Sequence, residues 1–239
     1  MNLFYDPNLS GTSPLPCNSM LKPDESWHAA KVLRLRPGDD LRVTDGKGSL
    51  YHARLIKLDS KACEIEIYDV KKYEPPAYSI HLAVAPVKNM ARFEWFLEKA
   101  TEVGISEITP LICARSERIS VRTERLNKII TSAMKQSLGM FHPTLNEPTG
   151  FKDFIKLSKA SAKFIGWCET QTEPLLRDVC PPGRDVLVLI GPEGDFTAAE
   201  VQTAENAGFI PISLGKNRLR TETAALAACF IAHFVNGRI

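Results

Sequence analysis

For roughly its first seventy positions the chain alternates apolar and polar residues, and then its texture changes. Leu41-Arg42-Val43-Thr44 leads into Asp45-Gly46-Lys47-Gly48, a turn that supplies glycine where a positive φ is wanted. Ser49 to Ile56 and Ala62 to Tyr68 then alternate with period two, as strands with one buried face do. Ahead of them, Glu25 to Leu35 is a short amphipathic segment closed by Pro37-Gly38. This pattern predicts a small β-barrel carrying a helix over residues 1–72. Lys71 to Ala77, with Pro75-Pro76 inside it, reads as a linker.

From residue 73 the pattern predicts strands alternating with helices. Ser79 to Ala85 is apolar and strand-like, and Ile108 to Cys113, Lys163 to Trp167 and Val186 to Ile190 repeat that character. Phe93, Phe96, Leu97, Ala100 and Val103 have helical spacing and stop at Gly104, the expected C-terminal glycine. Leu126 to Leu138 is a second helical stretch, followed by Gly139 and Pro143. Uninterrupted β-branched runs between helices predict an α/β domain over residues 73–239, its parallel sheet covered by helices on both faces. No internal repeat or low-complexity tract interrupts it.

The 239 residues suit one large domain, or a medium one with a small partner. Hydrophobic content of 44% and charged content of 24% are ordinary globular values, which excludes a disordered chain. The formal charge is only +2. A nucleic-acid partner would therefore have to be met by a local basic face. No apolar run reaches the ~18 residues of a membrane helix, and Met1 to Asp6 lacks the character of a secretory signal. The six cysteines (17, 63, 113, 168, 180 and 229) form no CxxC pair and have no close histidine. Neither a metal site nor a disulfide framework is expected. A soluble cytoplasmic protein is.

Two loops carry candidate chemistry. Val186 to Ile190 ends in Gly191-Pro192-Glu193-Gly194-Asp195-Phe196, followed by the capping box Thr197-Ala198-Ala199-Glu200. A glycine-containing loop at the carboxyl end of a parallel strand is where open α/β sheets bind ligands, although an ordinary tight turn reads the same way. Neither a dinucleotide fingerprint nor a phosphate loop is present. After a strand over Phe209 to Leu214 comes Gly215-Lys216-Asn217-Arg218-Leu219-Arg220-Thr221-Glu222-Thr223, feeding the apolar run Ala224 to Ala228. Thr221 as a cap and Glu222 as a complement to the helix dipole would explain two of these residues. They leave Arg218 and Arg220 unexplained, because cations are unwelcome at a helix N-terminus. An anionic partner accounts for them.

IGPEGDF at 190–196 and LGKNRLRTETA at 214–224 resemble the signatures of the RsmE family in the SPOUT superfamily, whose usual forms are IGPEGG(F/L) and LGPRxLRTETA. Further pieces occur in the same order: Arg34 with Asp45-Gly46, Lys99 to Gly104 (KATEVG), Ala114 to Arg118, and Lys135-Gln136-Ser137. The chain departs from the pattern at Asp195, where the family has a second glycine, and at Lys216-Asn217 in place of Pro-Arg. It departs again at Lys135, where many members carry glutamate, and at Leu3 before Phe4-Tyr5, where an arginine is common.

The resemblance implies an N-terminal PUA-like RNA-binding barrel and a C-terminal SPOUT domain with a deep trefoil knot, the knot and cofactor site spanning about 163–235. It implies a homodimer, S-adenosyl-L-methionine as cofactor, and methylation of N3 of a uridine in small-subunit (16S) ribosomal RNA. Trp167, Cys168, Ile190, Gly191, Pro192, Glu193, Gly194, Leu214, Gly215, Leu219 and Thr221 would surround the cofactor. Arg220 would orient the base and steady developing charge, while Glu222 would act as base or hold Arg220. A target N3 must be unpaired or extruded. Candidates for RNA contact are Arg34, Arg36, Arg42 and Lys47 on the barrel, with Lys88, Arg92, Arg115 and Arg218 on the larger domain. The scattered histidines at 28, 52, 81, 142 and 233 read as structural. Rival readings are a SPOUT enzyme acting on a ribose 2′-hydroxyl or on tRNA, and a non-catalytic RNA-binding protein that retains the fold.

Overall fold

The computed structural model describes residues 3–9, 14–158, 160–168 and 173–237. The chain forms two compact units, one of residues 1–75 with Thr131–His142, the other of Pro76–Ile130 with Pro143–Ile239.

The first unit contains β1 (Leu3–Tyr5), β2 (Cys17–Met20), α1 (Pro23–Trp27) continuing into a π-helical turn (His28–Val32), β3 (Asp40–Thr44), β4 (Ser49–Lys57) and β5 (Glu64–Lys72). They form one sheet in the order β1-β3-β4-β5-β2. β1 runs parallel to β3 and every other pairing is antiparallel. The inward residues of the alternating pattern, among them Val43, Tyr51, Leu55 and Ile65, close a core with Phe4, Leu21 and Ala29. The 45–48 turn is held by Asp45, whose Oδ1 accepts from the backbone N–H of Lys47 (2.7 Å) and Ser49 (3.0 Å). Gly46 adopts φ +70°, and a Cβ there would come within 2.7 Å of the Tyr5 ring, so both conformation and space require glycine. Lys71 and Lys72, assigned by the pattern to a linker, complete β5 opposite Leu50 and Ser49.

Thr131–His142 joins this unit through long-range contacts that no local pattern reveals. Lys135 Nζ bonds both carboxylate oxygens of Glu25 at 2.7 and 2.9 Å, and the His142 ring stacks on Tyr5 at 5.1 Å.

The second unit comprises β6 (Ile80–Val84), α2 (Met90–Val103), β7 (Glu107–Ile112), α3 (Thr123–Gln136, its residues through Ile130), β8 (Thr144–Leu145), β9 (Thr149–Gly150), α4 (Phe151–Leu157), β10 (Ala162–Gly166), α5 (Leu176–Val179), β11 (Val186–Ile190), α6 (Ala198–Asn206), β12 (Ile210–Ile212) and α7 (Thr221–Val235). All strands are parallel, in the order β12-β10-β11-β6-β7-β8 with β9 also on β7. Alternate residues of β11 point to opposite faces. Val186, Val188 and Ile190 pack with α2, α3 and α7 residues such as Phe96, Ile130 and Ala228. Leu187 and Leu189 pack with α4 and α6 residues such as Phe154 and Val201. Helices therefore cover both faces, as the uninterrupted apolar strands predict.

Caps follow the local sequence at two ends and depart from it at a third. Gly104 closes α2 in the left-handed region at φ 103°. Thr197 and Glu200 form the reciprocal capping box of α6. Thr221, in contrast, is not a cap: Arg220 occupies that position without a side-chain cap bond. The Thr221 hydroxyl is drawn instead to a backbone carbonyl of another loop.

Candidate cofactor and catalytic site

The carboxyl ends of β10, β11 and β12 are neighbours in the sheet, the position at which open parallel sheets bind ligands. A cavity of about 320 Å³ opens there, large enough for a small organic cofactor. Gly166, Trp167 and Cys168 after β10 line it, as do Ile190 to Glu193 and Asp195 after β11. From the β12 side come Ile212, Leu214, Gly215, Asn217 to Thr221 and Ala224. The walls mix apolar side chains with exposed backbone, and the rim is cationic.

Packing dictates the β11 loop. A Cβ on Gly191 would sit 3.1 Å from the buried Phe196 ring and 3.2 Å from its backbone nitrogen. The Gly191 carbonyl accepts a 3.0 Å bond from Thr221 Oγ1, a buried contact that ties the start of α7 to this loop. Glu193 Oε1 accepts from the backbone N–H of Lys88 at 3.0 Å. Arg115 Nη1 donates to the Gly194 carbonyl at 2.8 Å, which fixes the loop from outside. Asp195 adopts φ +62°, a left-handed conformation that suits glycine and that aspartate tolerates better than most residues. Its Oδ1 accepts from the Phe196 N–H (2.8 Å) and its Oδ2 from the Cys168 N–H (3.4 Å). The carboxylate therefore bridges two walls of the cavity. Burial, followed by the nearby Asp195 charge, raises the Cys168 thiol above its ordinary value, so the thiol stays protonated at neutral pH.

The β12 loop supplies charge. Gly215 has φ +134°, a conformation side chains rarely adopt. Arg218 and Arg220 line the cavity and, among the described residues, their side chains make no hydrogen bond or ion pair. Arg220 is exposed at the entrance to α7. Glu222 lies in the first helical turn, outside the cavity lining, with its side chain only 9% exposed; Arg92 Nε is its ion partner at 3.9 Å.

The structure brings together ten of the eleven residues expected around a cofactor, with Arg218 and Arg220; Gly194 stands behind the lining, against Arg115. It adds Gly166, Asp195, Ile212, Asn217 and Ala224. The strand-end residues among these had no chemical signature in the sequence, and only the unusual carboxylate at 195 stood out. Other expected RNA contacts are already engaged. The Lys88 ammonium pairs with Glu117 at 3.1 Å, Arg92 faces Glu222, and the Lys47 ammonium bonds the Pro7 carbonyl at 3.0 Å. In the first unit, Arg34 is exposed at φ 53°, Arg36 is exposed in a turn closed by Asp39, and Arg42 Nε is buried with no acceptor among the described residues. None of the five histidines lines the cavity; His81, His142 and His233 bond Thr109, Thr131 and Tyr78. Among the described residues no cluster of metal-ligating side chains occurs, and no helix is long and apolar enough to cross a membrane.

Comparison with known proteins agrees with this geometry. Residues 74–233 match the family described as RNA methyltransferase domain, and residues 21–68 match the RNA methyltransferase PUA domain. A ribosomal RNA small subunit methyltransferase E of Rickettsia conorii is 30% identical over 211 residues, 87% of this chain and 86% of that protein. The chain belongs to the RsmE family. The crystal structure of a ribosomal RNA small subunit methyltransferase E from Neisseria gonorrhoeae, bound to S-adenosyl methionine, shares 32% identity at a TM-score of 0.87. It covers 99% of this chain and 98% of its own. That of a probable rRNA-methyltransferase from Porphyromonas gingivalis shares 38% identity at a TM-score of 0.90 and covers 99% of both chains. The two-unit α/β architecture with a PUA-like first unit is thus that of the family, and the two RsmE-like loops are the ones that face each other across the cavity.

Proposed function

We propose that this chain transfers a methyl group from S-adenosyl-L-methionine to N3 of a uridine in small-subunit (16S) ribosomal RNA. The observation that carries the proposal is the cavity at the ends of β10, β11 and β12, closed by the Thr221–Gly191 bond and rimmed by Arg218 and Arg220, which have no ion partner among the described residues. Its residues fit the cofactor. Ile190, Ile212, Leu214 and Leu219 offer apolar walls, while Gly191 and Gly215 let backbone groups approach a ligand closely. Trp167, Cys168, Pro192, Glu193 and Thr221 complete the enclosure, with Gly194 supporting it from behind. The bound cofactor supplies a methyl group on a sulfonium, with a neutral leaving group that needs neither metal nor acid.

What remains for the protein is alignment and charge. Uridine N3 becomes nucleophilic as its proton leaves, and negative charge then spreads to the neighbouring carbonyl oxygens. Arg220, at the rim and without an ion partner among the described residues, is assigned to stabilise that charge. Glu193 and Asp195, the carboxylates in the lining, are both engaged by backbone N–H groups. Glu222 lies outside the lining and faces Arg92. It is read as a positioning residue for the first turn of α7; the N3 proton is assigned to solvent at the exposed rim, leaving as the N3–methyl bond forms and the methyl–sulfur bond breaks.

RNA contact is assigned to Arg218 and, on the first unit, to Arg34, Arg36 and Arg42; Lys47, Lys88, Arg92 and Arg115 would join them by exchanging the partners they hold. The same family reading includes a trefoil-knotted cofactor region, action in the cytoplasm, and a homodimer. In support of the last, Phe230 and Phe234, one turn apart on α7, are 42% and 72% exposed; paired exposed aromatics of this kind mark interaction surfaces.

Incubation of the protein with labelled cofactor and small-subunit rRNA, free or in assembly particles, tests the proposal. Nucleoside mass spectrometry is expected to find N3-methyluridine. Label on a ribose hydroxyl, or none, overturns it.

A further inference from the structure

A second cavity, of about 380 Å³, adjoins the first across Trp167, Cys168, Asp195, Gly215, Asn217 and Arg218 and extends to Arg115, Gly194, Ser213 and Lys216. Three cations line it, Arg115, Lys216 and Arg218. Arg115 spends one Nη on the Gly194 and Phe196 carbonyls, while the Lys216 and Arg218 side chains have no hydrogen bond or ion pair among the described residues. Among the described residues the lining holds one carboxylate, Asp195, which accepts from the Phe196 and Cys168 N–H groups, while Glu173 acts on Cys168 from nearby. Trp167 adds a buried indole Nε1–H with no acceptor among the described residues. Indole, guanidinium and ammonium groups are donors only, so the lining gathers donors and positive charge. A buried donor left without an acceptor is costly, and like charges gathered in a cleft repel one another.

We infer that this second cavity is a phosphate subsite, which seats one backbone phosphodiester of the RNA next to the nucleotide presented to the first cavity. Non-bridging phosphate oxygens each take several donors, and guanidinium and ammonium groups are the usual partners. The shared wall of Trp167, Cys168, Asp195, Gly215, Asn217 and Arg218 couples the two cavities, so an anchored phosphate fixes the register of the base beside it. The inference rests on the proposal that the substrate is RNA and deepens it.

The test measures binding of small-subunit rRNA to the full chain across a range of salt concentrations, with calorimetric titration of S-adenosylmethionine in parallel. Lys216→Ala is expected to weaken RNA binding about fivefold, and Lys216→Ala with Arg218→Ala about 30-fold. Each lost contact should reduce the slope of log affinity against log salt by about one. Lys216→Arg should restore both, with cofactor affinity kept within about twofold in the single Lys216 variants. An unchanged slope in the double variant overturns the subsite. So does lost cofactor affinity with RNA binding intact, which would give the cavity to the cofactor's own carboxylate. A wild-type chain that transfers no methyl to rRNA refutes the proposed reaction. A chain that methylates rRNA yet keeps its salt slope in the double variant refutes the subsite alone.

Discussion

Thr221 Oγ1 donates to the Gly191 carbonyl at 3.0 Å, and this bond fastens the first turn of α7 to the loop that leaves β11. Both groups are buried, so the carbonyl has no ready replacement for a lost hydroxyl. Thr221→Val keeps shape and removes the donor. It is expected to cost about 1–3 kcal/mol of stability, read by denaturant unfolding, and to lower cofactor affinity several-fold, read by calorimetry. Thr221→Ser should recover most of both. Equal stability in all three chains would strip the contact of its role.

Asp195 makes a different kind of tie, through a backbone at φ +62°. Asparagine shares aspartate's tolerance of this conformation, whereas a β-branched residue strains it by about 1–2 kcal/mol. Thermal melts should therefore place Asp195→Asn near the wild type and Asp195→Val clearly below it. Asp195→Gly relaxes the backbone but deletes the carboxylate that reaches the Cys168 N–H. Its expected signature is near-normal melting with several-fold weaker cofactor binding.

Arg220 and Glu222 are separated by one residue but sit in different surroundings, one at the cavity rim and the other against Arg92. Single-turnover methylation should fall about 10²–10³-fold for Arg220→Ala, the scale of losing one group that stabilises developing charge. Glu222→Gln is expected to lose less than about tenfold, since a positioning contact can survive neutralisation where a base cannot. A loss as deep as that of Arg220→Ala would return Glu222 to the base role.

His81 makes stability depend on pH. Burial holds it below its ordinary 6.5, against the opposing pull of Glu107. With the folded value below the unfolded one, the unfolded chain binds more protons as pH falls below about 6.5, and stability declines in that direction. His81→Gln should flatten the decline between pH 7.5 and 5.5 in equilibrium unfolding. An unchanged slope would mean that other groups carry it.

Features set by neighbours in sequence were legible. Val186 to Ile190 is a strand with the bounds its uninterrupted apolar run implies, Gly104 ends α2, and Thr197 with Glu200 caps α6. Features set by distant partners were not. Thr221 looks like a cap until Gly191 arrives beside it, and Lys135 looks like a surface charge until Glu25 meets it. Lys88, Arg92 and Arg115 read as free cations because their partners Glu117, Glu222 and Gly194 come from other parts of the chain or another helical turn. Arg218 and Arg220 stood out in the sequence for an electrostatic reason, and in the folded chain they remain without partners among the described residues.

The pairing of β11 with β6, Val186 opposite Ile80, has a consequence for how the protein is made. During synthesis β6 leaves the ribosome long before the strand that will lie beside it. The centre of the sheet stays open until β11 emerges, and the walls of the cavity wait longer still for Ala224. Contacts so distant along the chain form slowly, and the edge of Ile80–Val84 that faces away from β7 is open to wrong partners meanwhile. A chain broken off before α7 would carry the first unit and no finished cavity, so ligand binding reports that synthesis has passed Ala224.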